Sequence, residues 1–424
     1  MISFETRSEM KTGAAKIAIM LIIAFLFSGC RLSPSGTTNP EEVGLSAKHL
    51  RLLDGIIKES IARKDFPGAV ILVGRKGKVV VRKAFGESQW VPAPRPMEAT
   101  MLFDLASLTK PIATATSIMI LVEQGWVSLD EKVKHYVPDF ASYVDATGKP
   151  AEDPRLWHLL THTSGLPPYF PPEANAEAVE KTFGKSLSTE ELVGFIARLQ
   201  KTDPPGTAFH YSCLGYITLG YILEKITGQN IAEFSAEHIF KPLKMKHTFY
   251  NPPEKYRASC VPTEAIQGKP LAGVVHDPLA RLQGGISGNA GLFSTADDLA
   301  IFAQMMLAGG KHKNVRILSP LTVAKMTSVW PKASFAGRGL GWDIFSAQNT
   351  PGGDLFGPHA YGHTGFTGTS IWIDPDTGIF ILFLTNRVHP DQKDADAIAA
   401  MRSRVANIVA SSMEDNINPR SPSR

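Results

Sequence analysis

The strongest constraint on the fold is a pair of β-branched hairpins set near opposite ends of a 424-residue chain. Ala69 to Val73 and Val79 to Phe85 flank Gly74-Arg75-Lys76-Gly77-Lys78, while Ser370 to Asp374 and Ile379 to Thr385 flank Pro375-Asp376-Thr377-Gly378. Short β-branched runs joined across glycine-containing turns read as antiparallel hairpins. The chain between them differs in kind. From Pro138 to Pro205 it is polar and loop-rich, with helical pieces around Pro154 to Thr161 and Ser188 to Leu199. Helical spacing resumes over Tyr211 to Thr227, Ile231 to Ile239 and Thr295 to Ala308. Helices are also expected over Ser46 to Lys64 and Ala395 to Ser411. The fold class is therefore α/β (α+β): a sheet flanked by helices, with a helical lobe inserted between its parts.

With 43% hydrophobic and 20% charged residues the chain can bury a substantial core. A formal net charge of +4, with basic and acidic residues interspersed, gives no nucleic-acid surface and leaves a small-molecule or peptide substrate.

At the N-terminus, Lys11 and Lys16 precede the apolar run Ile17 to Phe27, followed by Ser28-Gly29-Cys30. A run this short suits a signal peptide better than a membrane span, and Gly29-Cys30 resembles a bacterial lipoprotein cleavage site. Met10 offers a start that would give a conventional leader length. An uncleaved signal anchor or plain secretion are the alternatives. The expected organisation is a signal peptide over 1–29, lipidation at Cys30, a tether over 30–41, one catalytic domain over 42–412 and a disordered tail over 413–424. The expected location is the bacterial cell envelope, lipid-anchored to the membrane, on its periplasmic or extracellular face. Cys213 and Cys260 remain in the mature part, too few for a disulfide framework, and are either free or paired with each other.

The chemistry centres on Phe103-Asp104-Leu105-Ala106-Ser107-Leu108-Thr109-Lys110, which runs into the apolar segment Pro111 to Val122. At helical spacing Ser107 and Lys110 share a face. A lysine made partly neutral by burial could take the Ser107 proton and make the hydroxyl a nucleophile. The helix start adds free N–H groups for negative charge developing on a substrate oxygen. Ser8 and Lys11 have the same spacing, so the pattern gains meaning only from its company: His210-Tyr211-Ser212-Cys213 ahead of a helix, and Tyr361-Gly362-His363-Thr364-Gly365-Phe366-Thr367-Gly368 leading into a strand.

In order and spacing these segments resemble the three motifs of the serine β-lactamase and penicillin-binding protein superfamily, especially the class C branch with its D-alanyl-D-alanine carboxypeptidase and esterase relatives. The resemblance runs from Glu42 to Ala410 and includes Leu160-Thr161-His162-Thr163-Ser164-Gly165-Leu166 and Asn289-Ala290-Gly291-Leu292-Phe293-Ser294-Thr295. It implies Ser107 as nucleophile, with Lys110 and Tyr211 relaying protons. The Ser107 and Phe366 amides would form an oxyanion hole, and His363-Thr364-Gly365 would position substrate where relatives commonly have Lys-Thr-Gly. Cys213 stands where many relatives carry asparagine, and is expected to line the site and not to act as a nucleophile. A mostly neutral histidine attracts a carboxylate less than lysine does. The expected activity is therefore acyl-enzyme hydrolysis of small esters or D-amino-acid peptides. The alternatives are a class C-type β-lactamase and a catalytically silent lipoprotein that binds penicillin or peptidoglycan. His162 is expected to support the site and His276-Asp277 to line it. No cofactor or metal is implied, and no Gly-x-Ser-x-Gly elbow or His-Glu-x-x-His helix competes.

Overall fold

The computed structural model describes residues 36–173, 175–266, 268–344 and 352–415. The expected signal peptide and Cys30 lie outside these residues, as do the last nine residues of the expected tail.

Both hairpins form, and they join side by side. The first is β1 (Gly68–Arg75) with β2 (Lys78–Gln89), and the second is β4 (Ser370–Asp374) with β5 (Ile379–Thr385). β5 pairs antiparallel with β1, placing Val70 opposite Leu384 and Leu72 opposite Leu382. With β3 (Tyr361–Thr364), Asp343–Ile344 and Arg95–Pro96 they make a seven-stranded sheet, in the order Asp343–Ile344, β3, β4, β5, β1, β2, Arg95–Pro96.

Every residue of β1 and β5 is buried, because the two strands are covered on both faces. Side chains of a strand alternate between faces. Val70, Leu72, Phe380, Leu382 and Leu384 accordingly enter one apolar core, and Ala69, Ile71, Val73, Ile379, Ile381 and Phe383 enter the other. The second core is closed by α1 (Leu52–Ala62) and by α4 (Ala395–Ser411), through Leu53, Ile57, Ile398, Val405 and Val409. The first core is continuous with the helical lobe, whose central element is α2 (Cys213–Thr227), buried from Leu214 through Leu223. α3 (Ala296–Leu307), capped by the Thr295 hydroxyl, joins lobe to sheet.

The compact chain extends beyond both expected domain boundaries. Met413 bridges Leu45, and the Asp415 carboxylate lies 2.5 Å from Arg75, a largely buried cation that needs a partner. Residues 413–415 therefore belong to the packed domain and not to a disordered tail. At the other end Thr38 donates to Val79 O at 2.8 Å, so the tether has already docked by that point. Cys213 and Cys260 are both free thiols. Among the described residues no helix is long and apolar enough to cross a membrane.

Candidate active site

The segment carrying Ser107 is fixed from three directions. Phe103–Asp104 pairs with Leu292–Ser294 as a short strand, and Leu105 N donates to Leu292 O at 2.9 Å. The buried Asp104 carboxylate accepts from Ala106 N at 2.8 Å and from His276 N at 2.7 Å. Thr109 Oγ1 accepts from Leu292 N at 3.2 Å. Ala106 adopts φ +45°, a left-handed conformation that costs an alanine on the order of 1 kcal/mol and persists only where its surroundings enforce it. The chain thus turns sharply immediately before Ser107. The expected regular helix start is different in detail: a 3-10 turn over Ala106–Leu108 leads into a π-helical turn over Lys110–Ala115 and then an α-helix over Thr116–Glu123. The first bond of the 3-10 turn is Leu108 N to Leu105 O, so Ser107 N comes ahead of it.

Lys110 is fully buried and its Nζ lies 3.0 Å from Ser107 Oγ, 3.0 Å from Asn289 O and 3.5 Å from Cys213 Sγ. Those are three acceptors for the three N–H donors of an ammonium. The Tyr211 ring centroid is 5.1 Å from the same nitrogen. Burial alone pushes the Lys110 pKa down, as the sequence suggests, but Cys213, Tyr211 and Asp277 outweigh it and the net direction is upward. The net direction is thus opposite to the one burial by itself would give. Burial also raises the Cys213 thiol above its ordinary range, against the opposing pull of Lys110, so it is not a thiolate nucleophile.

His363 sits on β3, opposite Ile371 of β4, and is 3% exposed. Its Nδ1 is 2.9 Å from Thr364 O, which can only accept, so Nδ1 carries the proton and Nε2 the lone pair. Nε2 is buried without a partner among the described residues. Burial first, then the Arg338 and Lys110 charges, holds this histidine well below its ordinary pKa, so it is neutral. Next along the chain, Gly365 packs directly on the backbone ahead of Ser107. A Cβ there would fall 2.5 Å from Leu105 O and 2.2 Å from Thr369 Oγ1. Thr367 Oγ1 donates to Asp104 O at 2.8 Å and Thr369 Oγ1 to Leu105 O at 3.1 Å. This stitching brings Phe366 beside the nucleophile segment, with its ring half exposed and stacked on His276. Gly365 N and Gly368 N bond within the loop, whereas Phe366 N has no acceptor among the described residues.

A model of the Beta-lactamase family matches residues 53–406, most of the chain. The chain belongs to that family. The match places it in the serine β-lactamase and penicillin-binding protein superfamily of serine hydrolases. It is 35% identical over 379 residues to a protein of Bacillus subtilis named N-acetylmuramyl-L-alanine amidase, covering 83% of this chain and 84% of that one. It is 34% identical over 380 residues to a putative D-alanyl-D-alanine carboxypeptidase of Salmonella agona, covering 83% and 86%. Among solved structures, the hydrolase EstCE1 superposes with a TM-score of 0.69 at 24% identity, over 86% of this chain and 99% of that one, which speaks to the fold alone. The octameric penicillin-binding protein homologue of Pyrococcus abyssi is 28% identical with a TM-score of 0.61, over 79% and 73%.

In this β-lactamase-family hydrolase the expected supports also have definite places. His162 Nδ1 accepts from Ser212 N at 3.0 Å and its ring lies 4.4 Å from that of Tyr211, so it holds the backbone that presents the phenol. Asp277 caps the helix Pro278–Leu282 and lies 3.4 Å from the Tyr169 hydroxyl. Sequence reasoning missed Asp104, Arg338 and Arg402. Arg402 reaches from α4 beneath the glycine-rich loop, and its Nη2 donates to Gly365 O and Thr369 O, both at 2.9 Å. None of the three belongs to a periodic pattern, and only their approach across more than thirty positions of chain reveals them. No group of three or more His, Cys, Asp or Glu side chains among the described residues could hold a metal.

Proposed function

We propose that this serine hydrolase forms a covalent acyl-enzyme on Ser107 and hydrolyses small esters or D-amino-acid peptides. The observation that carries the reading is the 3.0 Å approach of Lys110 Nζ to Ser107 Oγ inside a buried pocket that Tyr211 shares. Lys110 and Tyr211 act as one proton-relaying pair that holds one proton fewer than its fully protonated form, and this pair takes the proton of Ser107. Ser107 Oγ attacks the substrate carbonyl. The oxyanion is held by the amides of Ser107 and Phe366. Tyr211 returns its proton to the departing alcohol or amine, and water then attacks the acyl-enzyme with the same pair taking its proton. His363 receives a substrate N–H or O–H on its unpartnered Nε2, while Thr364 and Gly365 position the substrate along the edge of the sheet. Cys213 lines the pocket as a weak acceptor for Lys110. The names of the relatives from Bacillus subtilis and Salmonella agona support an amide of the cell-wall peptide as substrate.

Export belongs to the same proposal: the leader over 1–29 is removed, Cys30 is lipidated, and the enzyme works at the cell envelope. Partition of the wild type into detergent, lost in Cys30→Ala, is the expected result. Equal partition of both sinks the anchor.

The test of the activity is labelling by a fluorophosphonate, with mass spectrometry locating the adduct, followed by turnover of p-nitrophenyl acetate, a D-Ala-D-Ala peptide and nitrocefin. An adduct on Ser107 that vanishes in Ser107→Ala is expected. Equal labelling of both proteins refutes the nucleophile and favours a silent binder. Fastest turnover of nitrocefin makes the enzyme a β-lactamase instead.

A further inference from the structure

Thr38 N donates to Val79 O at 2.8 Å, just past the turn that joins β1 to β2, and so fixes the start of the packed chain at one end of the sheet. That turn leans on α3, whose Gln304 Nε2 donates to Gly77 O at 3.3 Å. α3 leads directly into a small hairpin, Lys311–His312 paired with Val315–Arg316. From Leu299 to Trp342 the chain contains no Asp or Glu. Lys311, Lys313 and Arg316 are exposed and have no ionic partner among the described residues. Arg316 gives Nη1 to Gly309 O and Leu318 O, which leaves its charge unpaired. The acids close by are engaged elsewhere: Asp415 with Arg75 and Lys76, Glu42 with Lys78, and Glu123 with Ser319 N at 2.6 Å. Two residues beyond Ser319, Leu321 is 83% exposed, and three residues beyond Glu123, Trp126 is 56% exposed. Free cations beside an exposed leucine and an exposed tryptophan are the composition of a membrane-interface surface.

From this arrangement we infer that the face made by the Lys311–Arg316 hairpin and Leu321 docks on an anionic phospholipid surface, with the three free cations on lipid phosphates and Leu321 at the acyl boundary. The inference rests on the lipid-anchored reading above. With the lipid on Cys30, the eight residues to Thr38 reach at most about 28 Å however they are arranged, so a bilayer lies close to this end of the sheet and not to the other. Each lysine or arginine near an anionic membrane strengthens attachment roughly fivefold, within about a Debye length. Ser107 sits toward the opposite end. Thr369 and Thr385 tie the glycine-rich loop to Leu105 O and to the strand position paired with Ala69, about 20 Å along β1 from Arg75. A domain docked in this way holds its nucleophile off the bilayer at a fixed height, which a flexible tether alone does not do.

The probes are vesicles of phosphatidylcholine alone and of phosphatidylcholine with about 30% phosphatidylglycerol. Full-length protein carries an environment-sensitive fluorophore on Asn314→Cys, at the exposed tip of the hairpin, or on Lys185→Cys, an exposed control on the lobe beside Arg281. Mixed vesicles are expected to raise the Asn314 emission at least about threefold over phosphatidylcholine and to leave Lys185 unchanged. Salt at about 0.5 M should reverse the rise. Lys311→Glu combined with Lys313→Glu should abolish it, with ester turnover at the wild-type rate. Where that pair fails to unfold cooperatively, Lys311→Gln with Lys313→Gln replaces it. No rise at Asn314, which leaves the face to a protein partner, an equal rise at Lys185, or a rise that survives either folded double variant overturns the inference. Failure of the wild type to float with phosphatidylcholine vesicles is a separate result, which removes the lipid anchor. The Asn314 reporter in mixed vesicles then decides the face alone, a rise supporting it and no rise overturning it.

Discussion

Replacing Gly365 by alanine tests whether the glycine-rich loop is held against the nucleophile segment closely enough to place the Phe366 amide. The new Cβ would sit 2.5 Å from Leu105 O and 2.2 Å from Thr369 Oγ1, where ordinary contact begins at 3.4 Å. Thr369 Oγ1 can rotate away. Leu105 cannot, because its own amide is bonded to Leu292 O at 2.9 Å and its carbonyl lies two residues before Ser107. The loop must therefore retreat by about 1 Å, a displacement that costs a positioned catalytic group on the order of a hundredfold in rate. The loss should fall in kcat with KM little changed, since an oxyanion donor acts mainly in the transition state. Overpacking should also lower stability by about 1–3 kcal/mol, readable as a shift of the denaturation midpoint. Ester turnover and the rate of Ser107 labelling are measured on protein that still unfolds cooperatively. A folded Gly365→Ala enzyme within about threefold of wild type refutes the reasoning. So does full rescue by Gly365→Ala combined with Thr369→Ala, which would mean that only the side-chain contact mattered.

Two further outcomes follow from buried titratable groups. His162 and His363 are held well below the ordinary histidine pKa, and His158 is lowered to about 4, in each case chiefly by burial. Below the unfolded value of about 6.5 the unfolded chain binds protons that the native one refuses, so stability falls with decreasing pH by up to about 1.4 kcal/mol per unit for each histidine. Denaturant midpoints at pH 7, 6 and 5 should show a steep acid limb that becomes shallower in His158→Gln, and a flat profile contradicts it. Lys201 is 2% exposed and burial lowers it to about 8. Between that value and the unfolded one stability therefore rises with pH, and Lys201→Met should be more stable at pH 7 by ~1–3 kcal/mol, with the gap closing by pH 10. A less stable Lys201→Met at pH 7 would show that the bond to Leu199 O at 2.8 Å and the contact with the Phe140 ring outweigh desolvation.

The parts of the fold that were legible in the sequence are those whose period reports burial. β1 and β5 read as strands because both faces are covered and nearly every position is apolar, and α2 reads as a helix because its Ser212 cap and Gly228 stop bracket an apolar run. Ser107, Lys110, Tyr211 and His363 could be picked out because their order and spacing resemble a known set of motifs. What holds them in register could not. Asp104 works through two backbone amides, one of them 172 positions away, and Arg402 through two carbonyls more than thirty positions back. Arg338 is bridged to Asp343, which in turn pairs with Gly362 of β3. No periodicity marks a residue whose role is set by a distant strand register.

The direction of the Lys110 pKa is where sequence and structure diverge most. Seen along the chain, a lysine in an apolar helix should lose its proton to desolvation. In the folded site the same nitrogen meets Asn289 O, fixed by the segment that pairs with Phe103–Asp104, together with Cys213 Sγ and Ser107 Oγ. Each acceptor comes from a different segment, and together they fit an ammonium better than an amine, which has only two N–H bonds to give. Charging the amine uses all three as acceptors, whereas the neutral amine would turn its lone pair toward the Ser107 O–H, the geometry for taking that proton. The apolar surroundings raise the energy of a lone charge, while Cys213, Tyr211 and the nearby Asp277 carboxylate pull the other way and set the net upward direction. A Lys110→Met variant should thus lose electrostatic stabilisation as well as proton transfer. Restoring only a proton acceptor, as high pH does, should leave most of its acylation defect in place.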